Sequence, residues 1–188
     1  MEVESMPPKA DKHLEERILK AAQRLWRTRG ERGLTLRAVA REAGSTTPTV
    51  YKRFRNKGAL RIALAERFKA QLNEAFFSAP TLEDAYREYV SYAEEHPNEY
   101  QLLWGTWTDV FHPDRPRPGR AWVLAQAAKR FGGKPEEYGQ FFYVLFLLTH
   151  GAATLLSVPG DEIARTEVRE NFLSICDTLV RNNALFQK

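Results

Sequence analysis

Apolar residues recur every three to four positions along most of this chain, and strict apolar–polar alternation is not sustained anywhere. Spacing of this kind places apolar side chains on one side of an α-helix, so the sequence predicts an all-α fold. The first stripe predicts a helix over residues 12–29, and Gly30 and Gly33 supply stop signals after it. Its members are Leu14, Ile18, Ala21, Ala22 and Leu25.

Two short helices separated by a tight turn are predicted next. Thr35 can cap the first of them, and Gly44 can adopt the left-handed conformation that ends it. The second is predicted over residues 48–54, with Thr47 as its N-cap and Pro48 as its first helical residue. This spacing is typical of a helix-turn-helix, although ordinary helix pairs also contain a glycine turn.

The rest of the chain predicts further helices joined by short connections. Asn56 can cap a long helix that reaches residue 77, and Thr81 with Asp84 resembles a capping box. Four more helices are predicted. One begins at Pro97, one contains Trp122, and the last two cover residues 135–158 and 165–186. Three prolines predict a loop over residues 112–119. The predicted organisation is a disordered arm (1–12), a helix-turn-helix domain (13–60) and a larger helical ligand-binding and dimerisation domain (61–188).

Residues 141–148 are apolar on all sides of the helical wheel, so they must be covered all round. The last helix carries two apolar stripes, one of Val168, Phe172, Ile175 and Leu179 and the other of Leu173, Cys176 and Val180. One stripe can face the core and the other a partner, which predicts a homodimer through the last two helices. Residues 138–160 carry no formal charge and could span a bilayer, but acidic pairs flank them on both sides, which favours a buried helix and no membrane.

Charge is divided unevenly along the chain. Residues 1–60 hold 14 Lys and Arg against 7 Asp and Glu, whereas residues 61–188 hold 14 against 17. A basic N-terminal part is typical of a segment that faces a polyanion, and a solvated basic surface is the alternative. Cys176 is the single cysteine, which precludes an intramolecular disulfide and fits a cytoplasmic protein.

The predicted third helix carries the candidate chemistry. On a helical wheel Val50 and Phe54 lie within about 40° of each other and point inward, so the side around Lys52 and Pro48 faces out. This outward side presents hydrogen-bond donors and methyl groups suited to a DNA major groove. The candidate DNA-binding residues are Thr35, Arg37, Thr46, Thr47, Pro48, Thr49, Tyr51, Lys52, Arg53, Arg55 and Lys57. Base reading is assigned to Thr47, Thr49 and Lys52.

Residues 35–44 and 48–60, with the sequences TLRAVAREAG and PTVYKRFRNKGAL, resemble the DNA-binding domain of the tetracycline-repressor-like (TetR) family. The resemblance covers residues 14–62. It implies that Tyr51 and Lys57 hold phosphates and that Thr47, Pro48, Thr49 and Lys52 meet bases of a double-stranded operator. Departures from the family pattern are Ser45 for an aliphatic residue, Arg53 for histidine and Gly58 for glutamate.

The C-terminal part resembles the ligand-binding domain of the WHG-type TetR subgroup around His150–Gly151, with Phe146 in place of the usual tryptophan. Candidate residues for binding an apolar or aromatic effector are Tyr100, Trp104, Trp107, Phe111, Trp122, Tyr143, Phe146 and His150. Ordinary core packing is the alternative for each. The working hypothesis is a dimeric repressor that an effector releases from a palindromic operator, with no cofactor.

Two other functions are weighed against this hypothesis. An enzyme would carry a phosphate loop, a nucleotide-binding glycine run, a His-Glu-x-x-His motif or a nucleophile elbow, and none is present in the sequence. The four histidines are too dispersed to suggest a metal site. The second alternative is an architectural DNA-binding protein without a ligand, which would bind DNA without sequence preference at physiological salt.

Overall fold

The computed structural model describes residues 12–106 and 116–186, and all regular structure in these two stretches is helical. This confirms the all-α prediction. The chain divides into two compact units, residues 1–64 and 65–188. The described helices are α1 (Lys12–Gly33), α2 (Leu36–Glu42), α3 (Thr47–Arg53), α4 (Lys57–Ser78), α5 (Leu82–Glu95), α6 (Pro97–Gly105), α7 (Pro118–Phe131), α8 (Gly139–Leu156) and α9 (Glu162–Arg181). The 3-10 turns Pro135–Tyr138 and Asn183–Phe186 precede α8 and follow α9.

The core of the first unit is formed by the apolar faces that the sequence predicts. The fully buried side chains of this unit are Ile18, Ala21, Ala22, Leu34, Val39, Val50, Leu60 and Leu64. Gly30 adopts a φ of 57° and separates a last turn from the body of α1, where the glycine stop is predicted. Burial of each valine or leucine contributes about 1.5–3 kcal/mol of transfer free energy, so the packing of α1 against α2, and of α2 against α3, fixes these short helices.

The predicted caps of α4 and α5 are confirmed. Asn56 Oδ1 accepts from the backbone N–H of Ala59 at 2.8 Å. Thr81 Oγ1 accepts from the backbone N–H of Asp84 at 3.1 Å and donates to the Asp84 carboxylate at 2.6 Å. These bonds satisfy N–H groups that a helix start leaves without intrahelical partners.

The predicted loop over residues 112–119 is wrong at its C-terminal end, because Pro118 and Gly119 belong to α7. A proline in the first turn of a helix sacrifices no hydrogen bond, since the N–H it lacks would have no partner there. The same residue type therefore marks a helix start here. Residues 112–115 lie outside the described residues.

In the second unit, α8 packs against both α5 and α9. Phe141 and Leu145 are fully buried in this core, but Tyr143 and Leu147 are 48% and 63% exposed. The described residues of one chain therefore cover only one side of α8, and the cover of residues 141–148 on the other side, which the sequence assigns to a partner, stays a prediction. By length and composition alone, Pro135–Leu156 is long and apolar enough to cross a bilayer, and 33% of its apolar window is buried.

The inward face of α9 combines members of the two predicted stripes. Phe172, Cys176 and Val180 are buried, while Ile175 is 45% exposed. Residues four positions apart lie on one face of a helix, and the observed core follows that spacing rather than the predicted division. The predicted division into two stripes is therefore wrong, because Phe172 of one stripe is buried on the same face as Cys176 and Val180 of the other.

Candidate nucleic-acid interface and apolar cavity

The turn between α2 and α3 is closed by the backbone. Gly44 has a φ of +60°, and the N–H groups of Gly44 and Ser45 donate to the carbonyls of Arg41 at 3.2 Å and Ala40 at 2.9 Å. This pair of bonds is the Schellman arrangement that ends a helix through a left-handed residue. Among the described residues, no atom beyond the chain neighbours of Gly44 would lie within 4 Å of a Cβ at this position, so glycine is favoured there by its backbone conformation and not by space.

Thr46, rather than Thr47, is the N-cap of α3, so the predicted cap is wrong by one residue. Thr46 has an extended backbone, and its Oγ1 accepts from the backbone N–H of Thr49 at 3.4 Å. Thr47 lies inside the first turn with Pro48 after it. A proline is tolerated throughout that turn because its N–H groups have no intrahelical partner, so Pro48 alone does not fix the cap position.

The two sides of α3 differ as the helical wheel predicts. Val50 is fully buried and Phe54 is 6% exposed, whereas Tyr51 is 53% exposed. The candidate DNA-binding residues that lie exposed are Thr35, Arg37, Thr46, Pro48, Tyr51, Lys52 and Arg55. Those that are half-buried are Thr47, Thr49, Arg53 and Lys57. Packing of the apolar edge thus turns a phenol and an ammonium group toward solvent.

Several of these side chains are engaged within the unit. Thr35 Oγ1 accepts from the N–H of Ala38 at 3.1 Å and caps α2. The hydroxyls of Thr46 and Thr49 are 2.8 Å apart. Sequence reasoning missed this link, for which the i, i+3 spacing of two threonines at a helix start was the available signal.

Lys57 is held beside the end of α1. Its Nζ donates to the backbone carbonyl of Glu31 at 3.2 Å and lies 3.8 Å from the Glu31 carboxylate. Arg61 lies 3.2 Å from the same carboxylate. Glu31 was not among the predicted site residues, and its position far from Lys57 in sequence gives no local signal. It fixes both cations and offsets part of their charge.

The second unit contains an apolar cavity of about 460 Å³. Rings of Phe142, Phe146 and His150 stack along one wall, with centroids 5.6 Å apart for Phe142–Phe146 and 6.1 Å apart for Phe146–His150. The Trp104 ring lies 3.8 Å from that of His150. The volume and the aromatic wall are typical of a site for a small organic molecule.

The six predicted effector-binding residues that the structure describes separate into three groups. Trp104, Tyr143, Phe146 and His150 line the cavity. Tyr100 is 2% exposed and is hydrogen-bonded through its hydroxyl to His150 Nδ1 at 2.6 Å, so it stands behind the lining. Trp122 packs on Phe76 with ring centroids 5.0 Å apart and is not among the lining residues.

Trp107 and Phe111 lie outside the described residues. Sequence reasoning missed Tyr86, Thr149 and the cations Lys69, Arg117 and Arg120, which also line the cavity. The spacing of Arg117 and Arg120, close to one helical turn, was a signal only once α7 was known to begin at Pro118.

Burial sets the protonation of the Tyr100–His150 pair. Desolvation lowers the pKa of His150 and raises the pKa of Tyr100 to about 12. At neutral pH the pair therefore joins a neutral imidazole to a neutral phenol. This wall of the cavity carries polarity without net charge.

We expect the stability of the protein to fall on acidification through pH 6.5, the ordinary pKa of histidine. Because burial lowers the pKa of His150, the unfolded chain binds this proton more readily than the folded chain does. Stability from the neutral ring is thus present above pH 6.5 and is lost between that value and the lowered pKa. Urea unfolding across this range measures the effect. His150→Gln should flatten the slope, and an unchanged slope would contradict the assignment.

Comparison with known proteins follows the same division of the chain. Residues 18–64 match the family model described as bacterial regulatory proteins, tetR family. This stretch contains α2, the Gly44 turn and α3. In the described residues no group of three or more His, Cys, Asp or Glu side chains is placed to hold a metal ion.

Solved structures share the fold over nearly the whole chain. TetR from Acinetobacter baumannii AYE is 19% identical with a TM-score of 0.70, and the match covers 96% of this chain and 100% of that one. A TetR-like transcriptional regulator from Rhodococcus sp. RHA1 is 16% identical with a TM-score of 0.60, covering 92% and 96%. A TetR-family regulator from Streptomyces coelicolor is 20% identical with a TM-score of 0.55, covering 90% and 95%.

No curated protein is similar enough to this chain to count as a relative. At these identities the solved structures establish the fold, and the family match establishes the nature of the N-terminal domain. The capped α2–α3 pair supplies the helix-turn-helix that the match describes. Residues 18–64 are therefore similar to the helix-turn-helix domain of the tetR family of bacterial regulatory proteins, and the described chain shares its fold with solved TetR-family structures.

Proposed function

We propose that this protein is a cytoplasmic, homodimeric repressor that binds a palindromic operator and leaves it when a small effector with an apolar body enters the cavity of the second unit. The observation that carries the proposal is the division of α3. Its apolar edge is buried while Tyr51, at 53% exposure, and Lys52 face solvent. A short helix with this division can enter a major groove without disturbing its own core packing.

The polar residues around α3 divide by role. Thr47, Thr49 and Lys52 are assigned to base edges, because they lie at the start and on the outward side of the helix. Phosphate contacts are assigned to the surrounding side chains Thr35, Arg37, Tyr51, Arg53, Arg55 and Lys57. Phosphate contacts supply affinity that is independent of sequence, and base contacts supply specificity.

Replacement of Lys57 tests the phosphate assignment. We expect Lys57→Ala to weaken binding to every duplex and to reduce the slope of log Kd against log salt by about one unit for each phosphate that is no longer neutralised. Fluorescence anisotropy on operator and unrelated duplexes at several salt concentrations measures both. The matched control is Lys20→Ala, which removes one exposed charge that lies 3.6 Å from the Glu16 carboxylate. An unchanged slope for Lys57→Ala would contradict a phosphate contact.

A substitution of Glu31 is expected to change DNA affinity in the opposite direction to Lys57→Ala. The Glu31 carboxylate lies 3.8 Å from Lys57 Nζ and 3.2 Å from Arg61 Nη1, so it competes with DNA for these cations. Glu31→Gln keeps the backbone carbonyl that accepts from Lys57 and removes only the charge. We therefore expect this variant to bind all duplexes more tightly.

Dimerisation is assigned to α8 and α9. A shallow groove between them is lined by apolar side chains that the described residues leave exposed, among them Leu147, Leu155 and Ile175 at 63%, 59% and 45% exposure. Apolar helix faces of this kind are typical of an interface between subunits. A two-fold pair of α8 and α9 forms a four-helix interface and presents two α3 helices to a symmetric operator.

The cavity supports the effector part of the proposal. An architectural DNA-binding protein has no need of a 460 Å³ cavity with an aromatic wall. Membership of the WHG-type subgroup belongs to the same proposal, with Phe146 stacked on His150 at an interplanar angle of 10° in the place of the subgroup tryptophan. Effector binding lowers operator affinity because the bound and released states differ in the spacing of the two reading heads.

A further inference from the structure

The charged side chains that line the cavity are all cationic. They are Lys69 from α4 and the pair Arg117 and Arg120 at the start of α7. Among the described residues, neither Asp nor Glu lines the cavity. A low-dielectric wall strengthens the field of such charges, so this cavity repels cations and attracts anions.

The two arginines are placed differently from Lys69. Lys69 Nζ lies 3.8 Å from the carboxylate of Glu66, which offsets part of its charge. The Arg120 guanidinium lies 5.9 Å from the centroid of the Phe142 ring, and Arg117 is exposed. No carboxylate of the described residues pairs with Arg117 or Arg120, so their guanidinium groups keep donors for a ligand.

The start of α7 adds further positive potential at the same place. This helix has 14 residues, and its N-cap, Arg117, makes no side-chain capping bond. The N–H groups of its first turn and the aligned peptide dipoles favour a negative group there. Arg117, Pro118, Gly119 and Arg120 all line the cavity, so the helix start and the two guanidinium groups border the same space.

Two buried hydroxyl groups in the cavity lining have no hydrogen-bond partner among the described residues. They belong to Tyr86 and Thr149, which are each 3% exposed. A buried polar group without a partner is unfavourable, so these hydroxyls favour a ligand that carries oxygen atoms. The rest of the lining is dominated by apolar and aromatic side chains such as Leu72, Phe76, Val123 and Phe142.

We infer that the effector is an amphiphilic organic acid, with an apolar body against the aromatic wall and a carboxylate held by Arg117, Arg120 and the start of α7. This inference rests on the proposed function, since it names the ligand class of the same cavity. Charge selects the ligand: a neutral analogue of the same shape binds more weakly, and a cationic one is excluded.

The test uses matched ligands on the full-length protein. Two sets of probes share one body and differ in head group: decanoate, 1-decanol and decylammonium, and biphenyl-4-carboxylate, 4-biphenylmethanol and 4-biphenylmethylammonium. Calorimetry at pH 7.5 gives the Kd values, below the micelle concentration of each probe. We expect the carboxylate of at least one set to bind about tenfold more tightly than its alcohol, the scale of one charge-assisted hydrogen bond.

Substituted proteins test whether the two arginines cause the preference for carboxylates over alcohols. Arg117→Gln with Arg120→Gln should bring carboxylate and alcohol to equal affinity while changing the alcohol by less than about twofold, since neutral ligands do not depend on the guanidinium charge. The control pair, Lys129→Gln with Lys134→Gln, removes two exposed charges that do not line the cavity and should keep the preference. Val123→Phe, which fills lining space, should weaken every probe.

Each other outcome overturns the inference. If alcohol or ammonium probes bind as tightly as the carboxylates and bind more weakly to Val123→Phe, the cavity binds effectors that are not acids. That result would overturn the inference and leave the proposed function standing. A carboxylate preference that survives the double arginine variant would place the acid elsewhere. Failure of all six probes would remove the acid class, while operator binding, measured on the same samples without probe, separately decides the regulator function.

Discussion

Leu155→Glu is expected to convert the protein to a monomer and to lower its affinity for a palindromic operator by about a hundredfold or more. Leu155 is 59% exposed in the single chain and lines the groove between α8 and α9 together with Glu167. A carboxylate placed there would be desolvated at the proposed interface beside another acid, which costs several kcal/mol. Without the dimer, each reading head binds alone and the gain from linking two half-sites disappears.

Light scattering and anisotropy on a full operator and on a single half-site measure this result. The matched control is Ala125→Glu, which adds the same charge at an exposed position of α7 outside the groove. We expect the control to remain dimeric and to bind normally. A Leu155→Glu protein that remains dimeric and retains operator affinity would place the interface on another surface.

Lys52→Ala is expected to change which sequences the protein selects more than how tightly it binds DNA in general. Lys52 is exposed on the outward side of α3, opposite the fully buried Val50. Removal of one base contact abolishes about 1–3 kcal/mol of discrimination at its base pair, and in a symmetric dimer this happens in both half-sites.

Selection from a random DNA pool, repeated with Lys52→Ala and with the control Lys20→Ala, measures this change. Information should fall at one symmetric pair of positions for Lys52→Ala and at none for Lys20→Ala. A uniform weakening with an unchanged sequence profile would assign Lys52 to phosphate instead of base.

The helices were predictable because their causes are local. The stripe of Ile18, Ala21 and Leu25 fixes the buried side of α1, and the left-handed Gly44 fixes the end of α2. The outward side of α3 follows from the burial of Val50 and Phe54 four residues apart. Local spacing thus predicted the fold and the orientation of the proposed reading helix.

Errors arose where two residues offer nearly equal local solutions. Thr46 and Thr47 can both cap a helix, and only the observed extended backbone of Thr46 decides between them. Pro118 is compatible with both a loop and a first helical turn. In each case the choice depends on the path of the chain on either side, which the local pattern does not contain.

The chemistry of the cavity depends on residues far apart in sequence. Lys69 on α4, Arg120 on α7 and Thr149 on α8 meet only through packing. Aromatic residues such as Trp104 and His150 could be selected by type, but the cations could not, since a lysine or arginine on a helix is most often a solvated charge. The same limit applies to the Glu31–Lys57 contact.

The central claim is that the outward side of α3 reads DNA, and footprinting on the selected operator tests it most directly. Hydroxyl-radical footprinting shows which base pairs the protein protects. In a second sample, Fe–EDTA is attached to the cysteine of the Lys52→Cys, Cys176→Ala variant and cleaves the DNA next to α3. We predict protection of two symmetric half-sites and tethered cleavage within each of them. Cleavage outside the protected half-sites, or selection that yields no inverted repeat, would contradict the claim.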